Sequence, residues 1–244
     1  MLTFFSGFGL GTLLTPAFAI FFPIDISIAL TAVVHLLNNL FKVVLIGKQA
    51  DRRILVRFGV PALLASFLGA RVLYWVGKLP ALWSYSLYGK MFSITPIKTL
   101  VGMLLVGFVF IETNSRLQKL SLPRKYLPLG GVLSGLFGGL SGNQGALRTV
   151  FLNKLGLSKE AFVATGVLIA CLVDVSRLSL YLTEQLSLHV LRENASLLVL
   201  ATGAAFAGAY AGSQVLTKMT ISGIKRIVSA ALILFGLALI LGWV

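Results

Sequence analysis

The chain has 244 residues, of which 57% are hydrophobic and only 11% charged, with a mean hydropathy of +0.95; a water-soluble domain needs far more polar surface, so the composition excludes one. The formal net charge of +14 is carried by Lys and Arg in the short connections between apolar runs, the pattern that orients membrane proteins, and no nucleic-acid partner is expected from it. Cys171 is the sole cysteine, which excludes an intramolecular disulfide.

The apolar runs are long and lack strand alternation, so they predict membrane helices and not a barrel. Near the N-terminus, residues 5–11 read FSGFGLG, followed by Thr12 and Thr15, with no basic n-region or cleavage site to suggest a removable signal peptide. The run over 26–46 can span the roughly 30 Å hydrocarbon core as helix, and it places His35, Asn39 and Lys42 at i, i+4 and i+7 on one stripe. After the run over 54–76 comes GKLPALWSYSLYGKMFS (77–93), which with Trp75 predicts an interfacial aromatic segment through Trp83, Tyr85 and Tyr88. A run over 94–111 follows. Residues 134–152, SGLFGGLSGNQGALRTVFL, then set five glycines, Ser141, Asn143, Gln144 and Arg148 where an ordinary membrane helix would carry Leu, Ile and Val. The last runs cover 160–183, with Asp174, Arg177 and Tyr181 on one stripe, 193–216 and 221–243.

An internal repeat is legible. ITPIKTLVGMLLVGFVFI (94–111) aligns with ISGIKRIVSAALILFGLAL (221–239), LGARVL (68–73) with AGSQVL (211–216), and Asn39-x-x-Lys42 with Asp174-x-x-Arg177. The offset falls from 143 at Leu73/Leu216 to 127 at Ile94/Ile221, so the first half carries the extra segment near 77–93. This predicts two four-element transmembrane repeats, 1–120 and 121–244. If all eight elements cross the bilayer, the loop Lys and Arg divide nine against eight and orient nothing; if the glycine-rich first element of each half is a broken, re-entrant hairpin, they divide thirteen against four. The positive-inside rule selects the second arrangement, an all-α polytopic protein whose halves are inverted and whose termini both lie outside the cytoplasm.

Broken backbone at membrane depth is tolerated only where protein or a water-filled cavity satisfies it, and exposed helix N-terminal amides favour an anion. The candidate substrate site is therefore Gly9, Gly11, Thr12 and Thr15 from the first hairpin with Ser141, Gly142, Asn143, Gln144 and Arg148 from the second, facing each other near the midplane. Gly7/Gly11, Gly135/Gly139, Gly138/Gly142 and Gly208/Gly212 also have the spacing of helix packing. For Gly208/Gly212 packing suffices, but it does not call for the polar residues beside the others. Asn39, Lys42, Asp174 and Arg177 complete the candidate set, since intramembrane ionisable residues are functional by default. Lys42, near Lys48, either snorkels to the surface or faces inward. Asp174 and Arg177 read equally as a self-neutralising pair or as working groups. Arg148 has no acidic neighbour within a helical turn and is the favoured anion ligand. His35 reads as a packing residue before a proton carrier, and His189 is assigned no role.

SGFGLGTLLTP and GLFGGLSGNQGALRTVFL at the starts of the halves, followed by ALTAVVHLLNNLFK and FVATGVLIACLVDVSRL, resemble the TauE/SafE sulfite-exporter family over essentially the whole chain. The resemblance implies a plasma-membrane permease for small sulfur-containing anions such as sulfite, thiosulfate or organosulfonates, with no cofactor or metal, and with proton or ion coupling and oligomerisation left open. A membrane-embedded enzyme is disfavoured because neither histidine has a nucleophile or metal-ligand partner at short spacing. A non-transporting assembly subunit is disfavoured by the polar hairpins.

Overall fold

The computed structural model describes residues 10–118, 122–153, 155–184, 192–215 and 221–244. In chain order these form α1 (Leu10–Ala19), α2 (Ile24–Ile46), α3 (Arg52–Gly77), β1 (Trp83–Leu87), β2 (Lys90–Ile94), α4 (Pro96–Thr113), α5 (Ser115–Gln118), α6 (Leu127–Ser141), α7 (Gly145–Leu152), α8 (Lys159–Glu184), α9 (Ala195–Val215) and α10 (Ile221–Ile240). Among the described residues, four helical stretches, Ile24–Gln49, Arg52–Gly77, Pro96–Thr113 and Lys159–Glu184, are long and apolar enough to cross a membrane. Two caps fix where helices start. Asp51 accepts from the amides of Arg53 (2.8 Å) and Ile54 (3.0 Å) to open α3, and Thr95 accepts from Lys98 N before Pro96 begins α4.

The outer surface is apolar, with Val44, Leu45, Leu64, Leu68 and Leu234 all more than half exposed. Such a surface is untenable in water and suits lipid. Two apolar clusters lie inside. One joins Ile28, Leu30 and Val34 of α2 to Leu73, Val101, Leu105, Tyr181 and Leu239. The other joins Phe58 and Ala62 of α3 to Leu127, Phe151, Ile169 and Val173.

The directions of the helices follow from their contacts. Along α3 and α8, Gly59 meets Leu172, Ser176 Oγ donates to the Leu63 carbonyl and Arg71 pairs with Glu184; the order rises together, so the two run parallel. Likewise, a Cβ on Gly131, Gly135 or Gly139 of α6 would overlap the carbonyl of Phe58, Ala62 or Ser66 of α3 in turn, so these helices are also parallel and touch backbone to backbone. By contrast His35 and Asp51 meet Asp174 and Thr165 respectively, setting α2 antiparallel to α8. Gly242 lies against Ser93 while Gly102 lies against Gly236 and Ile240, setting α4 antiparallel to α10.

Helices α6 and α7 form a hairpin. Gln144 packs back on Gly138, and Phe151 on Gly130. The Arg124 guanidinium donates to the Leu155 carbonyl at 2.9 Å, closing the base. The expected break in the second glycine-rich element is thus present, at Gly142. Of the first, only α1 onward is described: Gly9 and Gly7 lie outside the described residues, as does His189, and so do the surroundings of Gly208 and Gly212.

The expectation of helices alone is corrected at 83–94, an antiparallel β-hairpin pairing Trp83 with Ile94 through Leu87 with Lys90. Apolar and polar residues alternate along Trp83-Ser84-Tyr85-Ser86-Leu87, the period of a strand. Tyr88 (φ 51°) and Gly89 (φ 74°) supply the two left-handed residues of a tight turn. Tyr85 Oη donates to the Leu241 carbonyl at 2.7 Å and accepts from Trp243 Nε1 at 2.8 Å, fastening the hairpin to the end of α10.

Candidate functional site

Helix α6 ends because Gly142 takes φ 76°, with its amide still donating to Gly138 O at 2.8 Å; a side chain there would be strained. Three residues later, at Gly145, α7 begins. Ser134 Oγ donates to the Gln144 carbonyl at 3.1 Å and Tyr181 Oη to the Gly139 carbonyl at 2.7 Å, so the carbonyls around the break are held by neighbours. Ser141 donates to Phe137 O and accepts from the Asn143 amide, a local wrap that shapes the turn. The glycines thus divide their work. Gly131, Gly135 and Gly139 admit α3, whereas Gly142 makes the break.

Facing that tip from the other half is α1. A Cβ on Gly11 would come 3.5 Å from the Gly142 carbonyl and 3.9 Å from the His35 ring, so the two halves meet there. Thr15 Oγ1 donates to Gly11 O at 3.0 Å and lies 3.3 Å from Thr31 Oγ1. Thr12 is buried beside it.

The charged residues come from α2, α7 and α8. Arg177 and Asp174, both fully buried, form a forked pair: Arg177 Nε and Nη2 donate to Asp174 Oδ1 at 3.0 and 2.7 Å. Asp174 Oδ2 takes His35 Nδ1 at 2.6 Å, and Asn39 Nδ2 stands 3.5 Å from the same oxygen. Asn39 and Asp174, aligned with each other in the sequence comparison above, thus meet in the fold. Arg177 Nη1 is left over and points at the break, 2.7 Å from where a Gly142 Cβ would stand. Lys42 is buried, which decides against snorkelling, and lies within electrostatic range of Arg148 and Cys171. Arg148 rests against Gly166 of α8.

Arg177 Nη1, Arg148 Nη1 and the side-chain nitrogen and oxygen of both Asn143 and Gln144 are buried without a protein hydrogen-bond partner. Buried polar groups are normally satisfied, and a charged one left unmet is the costliest kind. The cluster holds three basic side chains, Lys42, Arg148 and Arg177, against the single carboxylate of Asp174. Such an arrangement can hold an anion through fixed donors. Sequence reasoning expected the break that is seen at Gly142 and named Arg148, Asp174 and Arg177 as candidates; it read His35 as a packing residue first and did not single out Ser134. The stripe His35–Asn39–Lys42 was the available signal for the first.

The model of the sulfite exporter TauE/SafE family matches residues 1–239. No curated protein and no solved structure matches the chain.

Proposed function

The chain belongs to the sulfite exporter TauE/SafE family, a family of membrane transporters, and from that premise we propose that it is a permease for a small sulfur oxyanion, held at the Gly142 break. The observation that carries this reading is the set of orphaned buried polar atoms there, two of them guanidinium nitrogens. A sulfite, thiosulfate or sulfonate group presents several acceptor oxygens in a small volume, and charge-assisted N–H donors are the strong ligands for such groups. Arg177 Nη1 and Arg148 Nη1 supply charge. Asn143 and Gln144 supply neutral donors, while Gly11, Gly142, Thr12 and Thr15 let the anion approach backbone closely. Asp174 keeps Arg177 aimed, and Lys42 adds to the positive field.

Transport proceeds by alternating access about this site, in the plasma membrane, with 1–120 and 121–244 as inverted halves. The helix directions support the inversion: α3 parallel to α8, and α2 and α4 antiparallel to α8 and α10, are the relations of halves with three crossings each after a re-entrant hairpin, and the reverse of eight successive crossings. Purified protein in liposomes should take up radiolabelled sulfite, thiosulfate or an alkanesulfonate saturably, and lose uptake with Arg177→Gln. Failure of the wild-type protein to move any of these overturns the reading in favour of a non-transporting subunit.

A further inference from the structure

His35 joins the anion site to an imidazole, a side chain able to take up and release a proton. We propose that His35 carries a proton that travels with the anion, one proton per anion, and that Asp174 links the two binding events. The inference rests on the permease reading above.

The geometry assigns each proton. Asp174 Oδ1 is occupied by the Arg177 fork, and Oδ2 by His35 Nδ1 at 2.6 Å. Nδ1–H is therefore committed to the carboxylate, and the exchangeable proton belongs on Nε2. Asn39 Nδ2 stands beside the ring, 3.1 Å from Nδ1 and 3.4 Å from Nε2, and with Nδ1–H given to Asp174 only Nε2 of the neutral ring can accept from it. On protonation the Asn39 amide must turn its oxygen to Nε2. Asn39 is thus a two-position partner for the ring. The Cδ2 edge next to Nε2 faces Gly11, which backs on the Gly142 carbonyl, so the titrating edge lies on the side of the break.

The electrostatics make the events cooperative. With neutral His35, the Asp174 carboxylate and the Arg177 guanidinium cancel. A proton on Nε2 makes the carboxylate serve two cations and leaves a net positive charge beside Arg177 Nη1, which favours an anion at the break. By reciprocity, a bound anion favours the proton. The other charged groups near the pair are Lys42 on its own helix and Arg148 on α7, with the Cys171 thiol one turn before Asp174; Lys42 is a second group able to give up a proton, and the His35→Gln variant separates the two. Helix α1 offers Thr12 and Thr15, and α6 and α9 carry no charged residue. The charged residues of α3 and α4 stand toward those helices' ends. The proton enters from water on one side and leaves to water on the other, so nothing else is consumed.

The test uses purified full-length protein in liposomes containing a pH-sensitive dye, with radiolabelled thiosulfate or methanesulfonate, anions whose own charge is constant from pH 5 to 9. The wild-type protein should move close to one proton per anion, and its apparent Kd should rise with pH toward a limiting slope of about tenfold per unit, the slope of a single linked proton. His35→Gln should still exchange labelled for unlabelled anion, but with no proton movement and less than about a twofold change in Kd per unit. A merely structural His35 would alter thermal stability and leave the proton-to-anion ratio of folded protein unchanged, which overturns the proposal. If His35→Gln does not fold, the wild-type ratio and slope decide alone: anion movement without protons and with a pH-independent Kd overturns it while the permease reading stands. Wild-type protein that moves none of sulfite, thiosulfate or methanesulfonate overturns both.

Discussion

Replacing Gly142 by alanine separates a binding role for the helix break from a purely architectural one, because a second glycine provides a matched control. Gly142 and Gly156 have nearly the same backbone, φ 76° and 74°. An L-residue in that conformation costs about 1–2 kcal/mol at either place. Their surroundings differ. A Cβ on Gly156 meets nothing within 4 Å, whereas one on Gly142 would stand 2.7 Å from Arg177 Nη1, where ordinary contact needs about 3.5 Å. The guanidinium cannot retreat freely, since Nε and Nη2 are held by Asp174 at 3.0 and 2.7 Å. Gly142→Ala must therefore turn Arg177 away from the break. Losing one charge-assisted hydrogen bond to the anion costs about 1.5–3 kcal/mol, or roughly a tenfold to hundredfold rise in Kd. Scintillation-proximity binding of radiolabelled anion to detergent-solubilised protein, with melting followed in parallel, reads both effects. Both variants should melt earlier, Gly142→Ala by more because it displaces Arg177, and only Gly142→Ala should lose affinity. Wild-type affinity in Gly142→Ala, or an equal loss in Gly156→Ala, would refute the assignment of Arg177 Nη1 to the anion.

Arg148→Gln keeps a donor and removes the charge, so it should weaken anion binding by about 1.5–3 kcal/mol with little change in melting; unchanged affinity removes Arg148 from the site. Asp174→Asn leaves the buried Arg177 guanidinium without its carboxylate and should destabilise the protein by about 3–5 kcal/mol. Adding Arg177→Gln should restore much of that in thermal denaturation, and strictly additive losses would refute the pairing argument. In a Cys171→Ser background, Arg124→Cys should label only from the cytoplasmic side and Val244→Cys only from the opposite side. Labelling of both from the same face would sink the inverted halves.

The membrane class, the long runs and the break near Gly142 were legible because composition, length and glycine content act locally along the chain. The division of labour among glycines was not. Gly135/Gly139 and Gly138/Gly142 share a spacing, and only the folded structure distinguishes those that admit the α3 backbone from the one that takes a left-handed φ. His35 escaped for a similar reason: its bond to Asp174 joins residues 139 apart in sequence, and a lone histidine on an apolar stripe does not announce a distant carboxylate. Lys42 was ambiguous because its distance from Lys48 says nothing about which side of α2 faces in. The hairpin at 83–94 was missed although its alternation was in plain view, since its aromatic residues also fit a lipid interface. The tie from Tyr85 to Leu241 and Trp243 is tertiary and leaves no mark in either segment.

That tie has a consequence for motion. The hairpin belongs to the first half of the chain and hangs on the last residues of the second. Helix α4 is pressed to α10 at Gly102 and Gly236, and α3 to α6 along a glycine seam. Each half is stitched into the other. On the alternating-access reading proposed above, the bodies that slide past one another are each assembled from both halves of the chain, with α4, α10 and the hairpin as one piece and α3 and α6 within another, so the line along which the protein opens runs across the midpoint of the sequence and not along it.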